Sequence, residues 1–346
     1  MKKITEELAL LKPLIHDKLL KDSSGDYKNY WQKKIPQGSN FYKNKTVCKL
    51  SAEANVVVDN YKNINIEYIF DENGYRLFRP ESFENIKDEI FCFGCSFTFG
   101  FGLPEDHTWP YILSKKINMK PINYGVGGIS TDFIARQIYQ IFNTIPKEKY
   151  PKHVFIFFPE IFRKEYLINE GDKIYYHRFI TGAHRNTAEE SKTDIIKKYF
   201  RPEYIDAYFE GNGIVSLFFN FVKDFHFIDS ILKSKNISWS WSSYSNFYHF
   251  PRKILETYLD TNTCIGENDA VKILKYMNYE PARDGTHRGK NYMEDLAAIF
   301  AKVYQEKPDE ENKLKIVPNT EFNEIDLKKN LENIIKESKD QDFIYE

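Results

Sequence analysis

Glu89-Ile90-Phe91-Cys92-Phe93-Gly94-Cys95-Ser96-Phe97-Thr98-Phe99-Gly100 is the stretch on which the fold of this chain turns. Its first five residues form a short apolar run of β-branched and aromatic side chains stopped by a glycine, which predicts a fully buried strand over 89–93. Gly94 removes a side chain where the backbone must turn sharply, so Ser96 falls at the carboxyl end of that strand. Open α/β sheets bind their ligands at that end. Taken alone, Ser96 reads most simply as the cap of the next helix. A second signal far downstream, Asp284-Gly285-Thr286-His287, overturns that reading and points to a nucleophile.

Outward from this stretch the chain alternates strand and helix. Trp109 to Ile117 predicts a helix capped by Thr108, with Pro110 in the first turn, where a missing N–H costs little. Pro121 to Tyr124 makes a short strand leading into glycines. Ser130 or Thr131 caps the next helix, whose Phe133, Ile134, Ile138, Ile141 and Phe142 recur at helical spacing. His153 to Phe158 is a third strand. Crossovers of this length predict a parallel, right-handed α/β sheet.

The chemistry follows from the residue types. A serine hydroxyl needs a base within hydrogen-bond reach, and His287 can take its proton. Asp284, three residues earlier, can turn back to the imidazole and fix its tautomer. So short a spacing puts both on one loop, unlike the α/β-hydrolase arrangement, and the second glycine of that fold's G-x-S-x-G is also missing.

These blocks together resemble the SGNH (GDSL-type) hydrolase superfamily. Gly94 to Gly100 resembles its first block, with Cys95 where commoner members carry Asp. Asn123-Tyr124-Gly125-Val126-Gly127-Gly128-Ile129-Ser130 resembles the second, whose late glycine, here Gly128, gives a backbone N–H to the oxyanion hole. Arg283 to Gly289 resembles the last, and the blocks occur in the family's order over roughly residues 86 to 305. The resemblance implies a three-layer, flavodoxin-like parallel α/β sheet and a serine esterase working through an acyl-enzyme, with Ser96, Asp284 and His287 catalytic. The N–H groups of Ser96 and Gly128 would hold the oxyanion. It implies no cofactor and no metal. The substrate would be a small ester or an acylated carbohydrate, such as an O-acetylated glycan; an acyltransferase would use the same residues.

One block departs. The family carries Gly-x-Asn after the third strand, the asparagine being a further oxyanion donor, whereas Phe158 is followed here by Pro159-Glu160-Ile161-Phe162-Arg163. Losing such a donor costs roughly 10²–10³ in rate. Arg163 is the nearest substitute, and the alternative is an Arg163 paired with Glu160 or Glu165. A catalytically weakened binding or structural protein is therefore the second functional reading.

Cys92-Phe93-Gly94-Cys95 is formally C-x-x-C. A zinc site would need a second pair, and a redox dithiol usually opens a helix, whereas Cys92 falls inside the predicted strand. Reduced thiols are the expectation, with Cys95 a minor rival to Ser96 as nucleophile.

The 346 residues carry a formal net charge of −1, so the chain lacks the bulk electrostatic footprint of a nucleic-acid binder. Met1 to Glu7 lacks the apolar core of a signal peptide and no run reaches the length of a transmembrane helix, which implies a cytoplasmic protein. Residues 1–85 read as an N-terminal extension: a helix from Ile4 to Leu20 interrupted by Pro13, a turn-rich wrap over 22–47, and a hairpin of 64–70 with 75–78 around Asp71-Glu72-Asn73-Gly74. Nothing in it carries obvious chemistry. Residues 86–305 form the hydrolase-like domain, with a polar, aromatic-rich insertion at 164–212 suited to a lid or substrate wall. Leu217, Phe218, Phe221, Val222, Phe225 and Ile228 mark a core-facing helix, 236–242 a strand, and 291–304 a closing helix. Residues 306–346 are a charged tail in which Leu327, Leu331, Ile334 and Ile335 share one helical face.

Overall fold

A computed structural model describes residues 41–42, 45–50, 66–71, 75–161, 163–170, 173–179, 214–243, 258–259, 279–282 and 287–305. The expected helix over 4–20, the insertion beyond 179, Asp284 and the apolar stripe of 327–335 lie outside them.

Four parallel strands build the central sheet: β5 (Glu89–Gly94), β6 (Lys120–Gly125), β7 (His153–Phe158) and β10 (Trp239–Ser243), in spatial order β10-β7-β5-β6. In chain order that is second, first, third, fourth, the doubly wound flavodoxin-like arrangement expected above. The order reverses between β5 and β7, so the crevice at their carboxyl ends is the topological switch point. Helix α1 (Ser96–Phe99) follows β5 directly, then come α2 (Trp109–Ile117), α3 (Thr131–Thr144), α4 (Ile214–Ser234) and α5 (Lys290–Gln305). α2 packs beside α5, and α3 beside α4, giving a layer of helices on each face of the sheet.

Strand burial follows from those layers. β7 is buried at all six positions because both of its faces are covered. Its alternation sends Phe155 to Phe300 of α5, rings 5.2 Å apart, and Phe158 to Phe221 of α4, rings 5.1 Å apart. β6 lies at the edge of the described sheet and alternates buried with half-buried residues. β10 begins at Trp239 rather than at Asn236, and its serines as well as its tryptophans are buried. Ser240 and Ser243 fit there because their hydroxyls bond His153 and the carbonyl of Phe158.

The two expected caps take the N-cap positions but turn their hydroxyls elsewhere. Thr108 Oγ1 donates to the Glu105 carbonyl at 2.7 Å, and Ser130 Oγ bonds the Asp132 carboxylate.

Before the domain, β1 (Phe41–Tyr42), β2 (Lys45–Leu50), β3 (Ile66–Phe70) and β4 (Arg76–Leu77) form a separate antiparallel sheet in that order. β1 and β2 stand where a turn-rich wrap was expected. Tyr75 sets its ring edge-on to Tyr124 of β6, 5.0 Å away, and Arg76 is only 1% exposed, so this sheet is docked on the α/β unit. The first part of the insertion is an antiparallel pair, β8 (Lys164–Glu170) and β9 (Lys173–Phe179).

Candidate active site

The serine turn is built from close backbone approaches. Gly94 has φ +153°, and a Cβ there would run into the Phe157 carbonyl of β7 and the Thr98 side chain. Only glycine therefore lets the chain leave β5 tight against β7. Cys95 caps α1 with extended backbone, and the N–H groups of Thr98 and Phe99 both reach its carbonyl at 3.0 Å. Ser96, the first residue of α1, is 6% exposed, and its carbonyl accepts from Gly100 N–H at 2.9 Å and Phe101 N–H at 3.1 Å. The serine is thus held from its C-terminal side by the turn that follows it.

Asn123 ties the glycine turn to this element. Its amide donates to the Thr98 carbonyl at 2.9 Å, its side-chain oxygen accepts from Gly125 N–H at 2.8 Å, and Val126 N–H bonds the Gly94 carbonyl at 3.0 Å. Gly128, three residues beyond β6, has φ +72°, a left-handed conformation that β-carbon-bearing residues rarely adopt.

His287 arrives from the far end of the chain. Ala282 N–H donates to the His287 carbonyl at 2.7 Å, Gly289 N–H to Glu280 at 2.7 Å, and Pro281 bridges to Arg288. That antiparallel bracket brings residues 282 and 287 together at the entrance to α5, with 283–286 between them. The His287 ring lies 5.4 Å from the ring of Phe97 and 5.0 Å from that of Phe101. Those phenylalanines flank Ser96 and the turn that holds it, so β5 and the bracket meet at one corner of the sheet.

Arg163 follows β7 at the other side of the switch point. It is largely buried, and its Nε stands 2.5 Å from Glu160 Oε2, a charge contact too oblique to be an aligned hydrogen bond. The pair faces Cys95: burial pushes the Cys95 thiol up from its ordinary value, Arg163 pulls it down and Glu160 pushes it up. A fully buried thiol held in its protonated form is a poor nucleophile, which leaves Ser96 as the candidate. Cys92 is likewise buried, free and raised by burial.

Two residues of the N-terminal sheet reach this corner without any sign in the sequence. Arg76 donates from Nη1 to the carbonyls of Phe99, 2.9 Å, and Gly100, 2.7 Å, and from Nη2 to that of Leu103, 2.9 Å. Bonds to a charged group contribute about 1.5–3 kcal/mol each; three of them offset the several kcal/mol needed to desolvate the cation. Tyr68 Oη accepts from Gly102 N–H at 2.8 Å, and its ring stacks on Phe99 at 5.4 Å. A cation in a polar hairpin ordinarily reads as a surface residue, and no local pattern separates Arg76 from one.

Among the described residues no cluster of His, Cys, Asp and Glu could hold a metal ion, and no helix is long and apolar enough to cross a membrane.

No protein-family model matches this sequence, and no curated protein does. Solved structures do. A member of the lipolytic G-D-S-L family from Veillonella parvula is 14% identical with a TM-score of 0.34, over 64% of this chain and 98% of its own. The psychrotrophic esterase EstA from Pseudoalteromonas sp., in a form inhibited by monoethylphosphonate, is 13% identical with a TM-score of 0.34, over 64% of this chain and 98% of its own. TesA is 10% identical with a TM-score of 0.27, over 62% and 99%.

Proposed function

We propose that this chain is a serine-dependent ester hydrolase of the SGNH type acting through an acyl-enzyme. The observation that carries the reading is the His287 ring packed on Phe97 and Phe101, the neighbours of a serine at the sheet's switch point. Ser96 Oγ attacks the ester carbonyl as His287 takes its proton, and the tetrahedral oxyanion is met by the N–H groups of Ser96 and Gly128. Asp284 orients the imidazole and stabilises its charged form. Collapse expels the alcohol, which takes the proton back from His287. Water, activated by the same histidine, then releases the acid and restores Ser96. With Nε turned to Glu160, any contribution of Arg163 to the oxyanion comes through its terminal nitrogens.

Small acyl groups, such as O-acetyl on a glycan, are the substrate class proposed. An alcohol replacing water in the second half would make the same residues an acyltransferase. The competing reading, a weakened hydrolase-like domain that binds rather than turns over, is favoured by the absence of Gly-x-Asn after β7 and by the Arg163–Glu160 contact. A fluorophosphonate probe separates the two. Covalent labelling of Ser96, lost in Ser96→Ala and His287→Ala, is the expected result; an unlabelled Ser96 in folded protein would overturn the hydrolase reading.

A further inference from the structure

We propose that Arg76, from the hairpin preceding the α/β unit, is a positioning residue that holds Ser96 and His287 in register, an inference that rests on the hydrolase reading above. Helix α1 is a single turn of four residues, and a helix so short does not hold itself, because nucleation is unfavourable and only one or two bonds follow. Its conformation must be set from outside. Arg76 supplies that restraint by taking the carbonyls of Phe99, Gly100 and Leu103, which leave α1 and the next turn.

Two lines of contact run from this guanidinium to the reacting groups. Along the first, Arg76 holds the Gly100 carbonyl, and the N–H groups of Gly100 and Phe101 hold the Ser96 carbonyl. Along the second, the same turn carries Phe101, whose ring lies 5.0 Å from the His287 ring. One buried side chain therefore spaces nucleophile and base together. Tyr68 reinforces it: the guanidinium sits 4.5 Å over the Tyr68 ring, and the Tyr68 hydroxyl takes the next N–H in the turn, that of Gly102. Arginine suits the task because a rigid planar fork can serve carbonyls from two nitrogens at fixed angles, whereas an ammonium is a single swivelling point. Gly100 shows how tight the fit is, since a Cβ there would meet Arg76 Nη1 and the Thr108 side chain.

The test compares Arg76→Lys and Arg76→Met with wild type, and uses Gly100→Ala to disturb the same contact from the other side. For variants that thermal unfolding shows to be folded at assay temperature, three quantities are read. They are kcat and KM on p-nitrophenyl acetate, the rate of fluorophosphonate labelling at Ser96, and amide hydrogen exchange over residues 96–103. In Arg76→Lys, kcat and the labelling rate should fall together by roughly tenfold to a hundredfold, as small misplacements of reacting groups do, with KM within about twofold. Exchange over 96–103 should quicken while β7 is unchanged. Sub-denaturing guanidinium should restore part of kcat in Arg76→Met but none in Gly100→Ala. Undiminished kcat in folded Arg76→Lys and Arg76→Met, or a lower kcat with unchanged exchange over 96–103, would overturn the proposal. Should wild type neither hydrolyse ester nor label, the hydrolase reading falls with the catalytic part of this one, and the exchange data alone decide whether Arg76 holds the turn.

Discussion

Two histidines lie at opposite ends of the same sheet: one bonds two serines across neighbouring strands, and the other stands at the candidate site. His153, at the amino end of β7, is 6% exposed, with Nδ1 2.8 Å from Ser238 Oγ and Nε2 2.9 Å from Ser240 Oγ. His287 is half-buried at the carboxyl end, against two phenylalanine rings. Burial pushes the His153 pKa down to about 3, so it stays neutral over ordinary conditions and cannot accept a proton usefully. A close Ser–His contact thus serves here to satisfy buried polar groups between strands. The topology of a doubly wound sheet, with its crevice at the carboxyl ends, separates a structural pair from the proposed catalytic one.

The sharpest way to break this contrast is to remove each histidine. Ser96→Ala and His287→Ala should each lower kcat on a short-chain p-nitrophenyl ester by about 10⁴-fold or more. His153→Gln, once corrected for folded fraction, should stay within about twofold of wild type. Loss of turnover in His153→Gln with His287→Ala intact would reverse the assignment.

Gly128→Ala should come next, lowering kcat by roughly 10²-fold with little change in KM, since its N–H is asked to meet charge that develops only in the transition state. An effect confined to KM would move Gly128 from the oxyanion hole to substrate packing. Arg163→Ala should follow at roughly tenfold in kcat if a terminal nitrogen serves the oxyanion. Turnover equal to wild type would leave Arg163 as the partner of Glu160 alone.

Over the modest span from pH 7 to 5.5, the smallest effect is on stability and belongs to the other end of the sheet. His153 has a folded-state pKa of about 3 against an ordinary 6.5, so between those values the unfolded chain binds the extra proton. Its contribution is complete above pH 6.5 and is lost as pH falls toward 3, at up to about 1.4 kcal/mol per pH unit. Chemical denaturation at pH 7 and 5.5 should show His153→Gln with a shallower loss than wild type. Equal pH slopes would mean that His153 is not held neutral.

Much of this architecture is legible because its signals are local. The runs 89–93 and 153–158 are apolar throughout, as strands covered on both faces must be, and the spacing over 131–144 marks one helix face. The Trp–Ser alternation of 239–243 is less transparent. It has the pattern of a strand with one wet face, yet its serines are buried because His153 and Phe158 take their hydroxyls. At the site, Ser96 and His287 stand out by neighbouring glycines and spacing, and Gly128 by the resemblance of 123–130 to a family block, whereas the bond of Asn123 to Thr98 and that of Tyr68 to Gly102 do not, since those partners lie 25 and 34 residues away.

The sequence alone determined the alternation of strands and helices in the α/β unit and the corner at Gly94, and it is the source of the proposal that Ser96, Asp284 and His287 serve as nucleophile, orienter and base. Each depends on residues within a few positions of one another: a period of apolar side chains, a missing Cβ, an Asp three places before a His. Tertiary structure alone decided what braces the serine turn. Arg76 belongs to a hairpin whose own residues give no reason for a cation to be buried. It becomes a fixed part of the serine turn only because three carbonyls from 23 to 27 residues away converge on its guanidinium. A buried charge is stable only where such partners meet it, and that convergence is a property of the folded chain.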